Sequence, residues 1–200
     1  MLNVVDLDYD YPDKPVLKKV CLTLSAGNLL HLRGVNGSGK TTLLKLLAGL
    51  FRPDGGQIHY NGCPIDDDLA TYQQNLCYIG HKIGISLLLT VEENCSFGLP
   101  STRHSTQLDN IMKRLALNGL EQVPCHLLSM GQRRRVGLAR LLLSDALLWL
   151  LDEPLVGLDK EGMNVLMGCL EEHLAQNGQI VMTSHQPLAL SREHYQEYSL

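Results

Sequence analysis

Hydrophobic positions along the chain follow two periods, one typical of strands and one typical of helices. Short apolar runs bounded by turn residues predict strands at residues 2–7, 20–24, 29–33, 57–60, 76–79, 147–151 and 179–183. Apolar residues at helical spacing predict helices at residues 40–50, 131–143 and 160–176. Strands that alternate with helices favour an α/β fold built on a parallel sheet.

A central segment, residues 90–128, shows a different pattern from its surroundings. Helical stretches separated by polar breaks fill it, and the strand signals disappear. We interpret it as a small helical insertion. Two hundred residues suffice for one domain with a substantial core. We therefore expect residues 1–200 to form a single domain, with a helical subdomain at about 82–140 inserted in its core.

Composition and charge exclude several classes of protein. Hydrophobic residues make up 44% of the chain and charged residues 19%, which is typical of a globular fold rather than a disordered chain. A net charge of -4 gives no overall attraction to nucleic acid, and we expect no nucleic-acid partner. The most apolar stretch, residues 141–151, is interrupted by Asp145 and is shorter than the roughly 20 residues that a spanning helix needs.

The N-terminal sequence and the cysteine content indicate the cellular compartment of the protein. The first residues are acidic and lack the basic and apolar regions of a secretory signal. The 6 cysteines are scattered without a C-x-x-C pair, which is typical of a reducing cytoplasm rather than of disulfides or a metal site. We expect a cytoplasmic protein with buried or incidental thiols.

A glycine-rich segment between the strand at 29–33 and the helix at 40–50 fits the phosphate-loop pattern G-x-x-x-x-G-K-[ST]. In such a loop, backbone N–H groups surround phosphate oxygens, helped by the positive end of the following helix. Lys40 is predicted to neutralise the β- and γ-phosphates, and the Thr41 hydroxyl to bind Mg²⁺. The predicted nucleotide-binding residues here are Gly34, Val35, Asn36, Gly37, Ser38, Gly39, Lys40, Thr41 and Thr42.

Two carboxylates follow the apolar strand at 147–151. Ligands bind at the carboxyl ends of strands in α/β sheets, so Asp152 is predicted to complete the Mg²⁺ shell and Glu153 to orient or deprotonate the attacking water. Apolar strands that end in acidic residues are common, so the motif alone is a weak signal. When the same motif follows a phosphate loop along the chain, it is the expected partner of that loop in nucleotide binding.

The string Leu128-Ser129-Met130-Gly131-Gln132 resembles the LSGGQ signature of ATP-binding cassette (ABC) ATPases, and the other motifs follow in that family's order. The resemblance implies a P-loop NTPase fold: an ABC-type nucleotide-binding domain with a RecA-like core, an antiparallel β subdomain and a helical insertion. It implies an ATPase that uses ATP and Mg²⁺, with Tyr11 stacking on adenine and Asp159 in the D-loop. The catalytic residues that it implies are Lys40, Glu153 and the switch histidine His185.

In that family, the signature of one subunit closes on the nucleotide held by the phosphate loop of another. The resemblance therefore implies a head-to-tail homodimer in which the signature contacts the partner's nucleotide through Ser129, Met130, Gly131 and Gln132. Met130 stands where the family usually has a small residue, so we expect looser or slower closure.

Several positions keep a second interpretation open. His185 alone also fits an ordinary loop histidine, and Asp159 an ordinary helix N-cap. The family's Q-loop glutamine falls at His81, which either binds Mg²⁺ or a water, or is a structural loop residue. The arginines at 133–135 and Arg140 do not share one helix face, which favours a solvated helix start over a nucleic-acid patch.

Within the family, several strings are similar to the ATP-binding subunit of the bacterial haem exporter used in cytochrome c maturation; they are residues 74–81, 84–85, 132–136, 148–149 and 183–188. Lys82 departs from that subfamily, which tends to have glutamine there. This resemblance implies a peripheral ATPase on the cytoplasmic side of the inner membrane. Its implied partners are the exporter's integral membrane permease and the associated haem-handling proteins. No histidine or cysteine cluster resembles a haem ligand site, so we expect the membrane partner to hold the substrate.

Two other functions stay open, an ATPase subunit of another ABC exporter or importer and a soluble non-transport ABC ATPase. Only 15 residues follow His185, which leaves no room for the C-terminal regulatory domain of many import ATPases. The chain has no room either for the long coiled-coil insertion of DNA-repair members or for the second cassette of translational ones. We therefore favour the haem exporter.

Overall fold

In the computed structural model, helices and strands are described over residues 1–12, 14–97, 104–186, 188 and 194–200. The chain divides into unit 1 (Met1–Gly80, Ala146–Pro154 and Glu171–Leu200) and unit 2 (His81–Asp145 and Leu155–Leu170). In chain order the elements are β1 (Leu2–Tyr11), β2 (Lys14–Leu24), β3 (Leu29–Arg33), α1 (Lys40–Leu47), β4 (Gly55–Tyr60), β5 (Cys63–Pro64), α2 (Leu69–Gln74), β6 (Leu76–Ile79), α3 (Val91–Ser96), α4 (His104–Arg114), α5 (Met130–Leu143), β7 (Leu148–Asp152), α6 (Lys160–Ala175), β8 (Gln179–Thr183) and β9 (Tyr195–Ser199).

An antiparallel sheet in unit 1 has the strand order β2-β1-β4-β5. Side chains alternate along β2, so that Leu22 and Leu24 are buried while Cys21 and Thr23 are exposed. This two-residue period is what a strand with one face on the core requires.

A parallel sheet in the same unit has the strand order β6-β7-β8-β3-β9. Every residue of β7 and β8 is buried, which explains why both strands have apolar residues at successive positions in the sequence, four in β7 and three in β8. Parallel strands end at the same edge of a sheet, where ligands bind. Asp152 at the end of β7 pairs in register with Thr183 at the end of β8.

Helix α1 belongs to the hydrophobic core of unit 1. The four leucines between residues 43 and 47 are fully buried, in one core with side chains from both sheets. Burial of each contributes about 2 kcal/mol. This packing fixes the helix whose first turn carries Lys40 and Thr41.

Unit 2 contains α3, α4 and α5 and a short 3-10 helix at Cys125–Leu127. Helix α5 packs against α3 and α4, and α3 begins at a capping box formed by Thr90 and Glu93. The boundaries of the helical subdomain, about 82–140, stay a prediction. Of the helices described in either unit, none is long and apolar enough to cross a membrane.

Three elements were not predicted from the sequence: β5, α2 and β9. Strand β9 has the sequence YQEYS and only half-buried or exposed residues, so it lacks the apolar run by which β7 and β8 are recognised. It forms because β3 offers a parallel partner along its whole length. The pairing depends on residues more than 160 positions apart, which no local pattern encodes.

The expected solvated start of α5 is wrong. Arg134 and Arg135 are 8% and 9% exposed. The guanidinium groups donate to backbone carbonyls of unit 2: Arg134 to His81 at 3.2 Å and Arg135 to Leu115 at 3.1 Å. A guanidinium presents five N–H donors and can satisfy several carbonyls at once, so these side chains bind within the unit instead of projecting into solvent.

Candidate functional site

The loop between β3 and α1 enters the helix at Gly39, the N-cap of α1. Gly39 has a φ of 102°, in the region that glycine adopts without strain. A Cβ atom there would also lie 2.8 Å from side-chain atoms of Val16 and Leu17. Because glycine has no side chain to cap the helix, the first backbone N–H groups of α1 are suited to a bound anion such as phosphate.

Lys40 is held against this loop by backbone acceptors. Its ammonium nitrogen Nζ donates to the carbonyl of Gly34 at 2.8 Å and to that of Val35 at 3.0 Å. The side chain is 9% exposed. A positive charge is thus fixed beside the N-terminus of α1, where both the charge and the helix dipole favour an anion.

The structure brings together Thr41 and Asp152, which the sequence predicted as the Mg²⁺ ligands. The Thr41 hydroxyl donates to Oδ2 of Asp152 at 2.8 Å. Asp152 is 2% exposed, and its other oxygen, Oδ1, accepts a hydrogen bond from the Thr183 hydroxyl at 2.8 Å. A buried carboxylate needs such donors, so the two threonines fix its orientation.

Sequence reasoning missed the part played by Thr183. Its hydroxyl oxygen also accepts a hydrogen bond from the backbone N–H of Glu153 at 2.8 Å. One side chain at the end of β8 therefore holds both Asp152, the last residue of β7, and Glu153, which follows it. The signal in the sequence was its place at the end of an apolar strand, two residues before His185.

Glu153 and His185 lie close together. Oε1 of Glu153 is 3.4 Å from Nε2 of His185, and the side chains are 13% and 58% exposed. Glu153 has a φ of 52°, a conformation that costs a non-glycine residue about 1 kcal/mol. The bond from the backbone N–H of Glu153 to Thr183 stabilises this turn.

Tyr11, the predicted adenine residue, belongs to an aromatic cluster with Tyr9 and Phe51. Its ring packs edge-on against both, with centroid distances of 5.3 Å and 6.5 Å. Its hydroxyl lies 3.4 Å from the hydroxyl of Thr42 in α1. Tyr11 is 40% exposed, so part of its ring is open to stack on a base. Tyr9 and Phe51 were not predicted from the sequence.

The predicted signature residues form the first turn of α5 in unit 2. Ser129 caps the helix, because its Oγ accepts from the N–H of Gln132 at 3.2 Å while Oε1 of Gln132 accepts from the N–H of Ser129 at 2.9 Å. This reciprocal pair is a capping box. Met130 follows with 70% of its surface exposed.

Asp159, the predicted D-loop residue, is fixed by two contacts in unit 2. Its carboxylate binds the guanidinium of Arg135, with both oxygens at 2.7 Å, and Oδ1 accepts from the N–H of Gly162 at 2.8 Å. The bond from Arg135, and then that from Gly162, lowers the pKa of Asp159 below its usual range. The contact with Gly162 is that of a helix N-cap to α6, and the D-loop role stays a prediction.

His81 belongs to unit 2, where its carbonyl accepts from Arg134. It lines a cavity of about 540 Å³ together with residues 82–85, Met130 and Val156. In the part of the chain that the structure describes, no three His, Cys, Asp or Glu side chains group to hold a metal ion. The role of His81 toward Mg²⁺ stays a prediction.

Comparison with known proteins supports the resemblance seen in the motifs. A family model described as ABC transporter matches residues 17–156. A cytochrome c biogenesis ATP-binding export protein CcmA from Legionella pneumophila (strain Lens) is 46% identical over 200 residues, all of this chain and all of that protein. The protein of the same name from Escherichia coli O157:H7 is 39% identical over 200 residues, all of this chain and 96% of that protein.

A solved structure described as the ATP-binding subunit of an ABC transporter is similar to this chain with a TM-score of 0.84. It is 28% identical in sequence, over 92% of this chain and 79% of that one. The predicted α/β fold of the ABC-type nucleotide-binding domain is confirmed. The chain therefore belongs to the ABC transporter family, within the group of cytochrome c biogenesis ATP-binding export proteins.

Proposed function

We propose that unit 1 of this ABC ATPase binds Mg²⁺-ATP on its phosphate loop and hydrolyses it with Glu153 and His185. One observation carries the proposal: a line of hydrogen bonds at one edge of the parallel sheet. It runs from the hydroxyl of Thr41 through the Asp152 carboxylate to the hydroxyl of Thr183, and on to the backbone of Glu153. The phosphate loop and the acidic end of β7 are thereby one connected structure.

The nucleotide is held at its two ends. Backbone N–H groups at the start of α1 bind phosphate oxygens, and Lys40 neutralises the β- and γ-phosphates. The exposed part of the Tyr11 ring stacks on adenine. Tyr9 and Phe51 pack edge-on against that ring, so the orientation of the Tyr11 ring is fixed before the base binds.

Thr41 and Asp152 would hold Mg²⁺, and the chemistry of the pair fits this ion, because Mg²⁺ is bound through one or two carboxylates together with waters and phosphates. The Thr41 hydroxyl and Oδ2 of the buried Asp152 carboxylate are 2.8 Å apart. When bound, the ion would supply positive charge that neutralises the phosphate oxygens.

In the hydrolytic step, Glu153 accepts a proton from the attacking water. The water oxygen bonds to the γ-phosphorus while the bond from that phosphorus to the bridging oxygen of ADP breaks. His185, with Nε2 beside Oε1 of Glu153, orients the carboxylate and the γ-phosphate. ADP and inorganic phosphate are then released.

A complete site needs a second copy of the chain. The first turn of α5 carries Ser129 and Gly131, and the positive end of this helix suits the γ-phosphate held by the partner's loop. The exposed Met130 enters that contact, so we expect closure to be looser than with a small residue. ATP binding draws the two copies together, and phosphate release separates them.

The transport role that we propose is haem export for cytochrome c maturation, driven from the cytoplasmic side of the bacterial inner membrane. The names of the curated relatives support both export and cytochrome c biogenesis. Unit 2 exposes large apolar side chains, with Leu88 85%, Phe97 70% and Leu127 68% exposed. Exposed apolar side chains are suited to a partner, here the integral permease. Haem binds on the permease and its haem-handling proteins.

Deleting the gene tests this role. We expect loss of c-type holocytochromes, read by haem staining of membrane and periplasmic proteins, because covalent haem attachment depends on the exporter. A plasmid copy of the wild-type chain should restore them, and a copy with Glu153→Gln should not. Normal holocytochrome c in the deletion strain would contradict haem export and leave the ATPase assignment untouched.

A further inference from the structure

His31 lies in the middle of β3 and is fully buried, yet it is the polar member of the run Leu29-Leu30-His31-Leu32. Both ring nitrogens have contacts. Nε2 is 2.9 Å from the carbonyl oxygen of Ser184, and Nδ1 is 2.7 Å from the hydroxyl of Tyr195 on β9. A buried imidazole needs such partners; Ser184 directly follows β8 and Tyr195 lies on β9, the two strands that flank β3.

The contact with Tyr195 continues to the surface. The Tyr195 hydroxyl lies 2.7 Å from Oε1 of Glu197, and the same Oε1 accepts from the guanidinium of Arg33 at 2.9 Å. The bonds from Tyr195 and Arg33 lower the pKa of Glu197, so this group is a carboxylate. Burial and the neighbouring Glu197 raise the pKa of Tyr195 to about 12, so its hydroxyl keeps its proton.

The acceptor opposite Nε2 decides how His31 is bonded. The Ser184 carbonyl only accepts hydrogen bonds. At 2.9 Å it must face a protonated Nε2, because an unprotonated nitrogen there would place two lone pairs against each other.

On the other side of the ring, Nδ1 of His31 lies 2.7 Å from the hydroxyl oxygen of Tyr195. That hydroxyl donates its single proton to Oε1 of Glu197 at 2.7 Å, and the rings of His31 and Tyr195 lie with their centroids 5.9 Å apart. Tyr195, itself fixed by Glu197, therefore limits how the imidazole can turn and keeps Nε2 directed at Ser184.

Ser184 lies between two residues of the proposed hydrolytic site. On one side, the hydroxyl of Thr183 bonds to Asp152 and to the backbone of Glu153. On the other, His185 places Nε2 beside the carboxylate of Glu153. The side chain of His185 is 58% exposed, so its position depends on the backbone that carries it. The Ser184 carbonyl is the backbone acceptor directly before it.

We propose that His31 is a positioning residue for ATP hydrolysis, which holds the Ser184 carbonyl and thereby keeps His185 beside Glu153, with Tyr195 fixing the orientation of the ring. His31 does not touch the nucleotide in this account. The proposal rests on the proposed role of His185. It links the turnover rate to β9, the strand at the C-terminal end of the chain.

The test compares four variants of the purified, assembled ATPase complex by steady-state ATP hydrolysis: His31→Leu, His31→Gln, Tyr195→Phe and Glu197→Gln. His31→Leu cannot donate to Ser184, and we expect kcat to fall about tenfold, the rate equivalent of one lost hydrogen bond, with KM for ATP unchanged. His31→Gln carries an amide donor and should recover most of the wild-type kcat. Tyr195→Phe should show a smaller loss, about threefold, because Nδ1 of the ring then lacks the contact with the hydroxyl that fixes its orientation.

Glu197→Gln is the matched control, since the amide oxygen of glutamine can still accept from Tyr195, and it should leave kcat undiminished. Equal kcat in His31→Leu and wild type would overturn the proposal, as would a fall that His31→Gln fails to reverse or a change confined to KM. If His31→Leu does not fold, the comparison of His31→Gln with Tyr195→Phe decides. Losses of kcat of similar size in these two variants would contradict the proposal. His185→Ala distinguishes a failure of the His31 proposal from a failure of the proposed function, because full activity of His185→Ala would refute the proposed role of His185 itself.

Discussion

Replacing Glu153 by glutamine is expected to lower the rate of ATP hydrolysis by about 10²- to 10³-fold, the scale of a lost general base, while ATP binding persists. Glutamine matches glutamate in size but cannot accept the proton of the attacking water. The fold of the turn should survive, because the bond to Thr183 comes from the backbone N–H of residue 153. Phosphate release measures the first effect, and titration with a fluorescent ATP analogue measures the second.

The control for this experiment is Glu171→Gln, an exposed glutamate on α6 in the same unit. It removes the same charge without approaching Asp152 or His185, so hydrolysis should match the wild type. A Glu153→Gln protein that hydrolyses ATP at the normal rate would refute the assignment of Glu153 as the base. Loss of binding along with hydrolysis would show that the side chain acts on the nucleotide and not on the water.

Replacing Lys40 by alanine is expected to abolish measurable hydrolysis and to weaken ATP binding by about tenfold or more. A hydrogen bond to a charged group is worth about 1.5–3 kcal/mol, and the ammonium of Lys40 is fixed beside the start of α1 by two carbonyl acceptors. Its removal takes away the charge that balances the β- and γ-phosphates. Equilibrium dialysis with labelled ATP gives the affinity.

Lys45→Ala is the matched control, because Lys45 lies on the same helix but contacts a different group. Its ammonium lies 5.1 Å from the ring centroid of Phe51. We expect an ATP affinity within about twofold of wild type, the effect of one exposed cation–π contact. If both lysine variants bound ATP equally well, the phosphate loop would not be the binding site.

The fold was predictable where the sequence carries its own local signal. The run before Asp152 and the run before Thr183 are apolar because both strands are buried on two faces. The phosphate loop combines special glycines with a strand before it and a helix after it, and each of these can be read from neighbouring residues. The predicted α/β fold was correct for this reason.

Features that depend on remote partners were not predictable. Strand β9 exists because β3 pairs with it, and the arginines of α5 are buried because carbonyls from distant residues surround them. The same limit applies to the site. Asp152 and Glu153 could be found by their position after a strand, whereas the donor role of Thr183 needed the register of two strands.

The most direct test of the central claim, that each chain carries half of an ATP site, mixes two inactive variants. Lys40→Ala lacks a working phosphate loop, and Ser129→Arg blocks the signature turn of α5. In a mixed dimer, the intact loop of one chain meets the intact signature of the other. Half of the dimers in an equal mixture are mixed and each has one working site, so we predict recovery of about a quarter of the wild-type ATPase rate. Full activity of Ser129→Arg alone, or a mixture as inactive as its components, would contradict the claim.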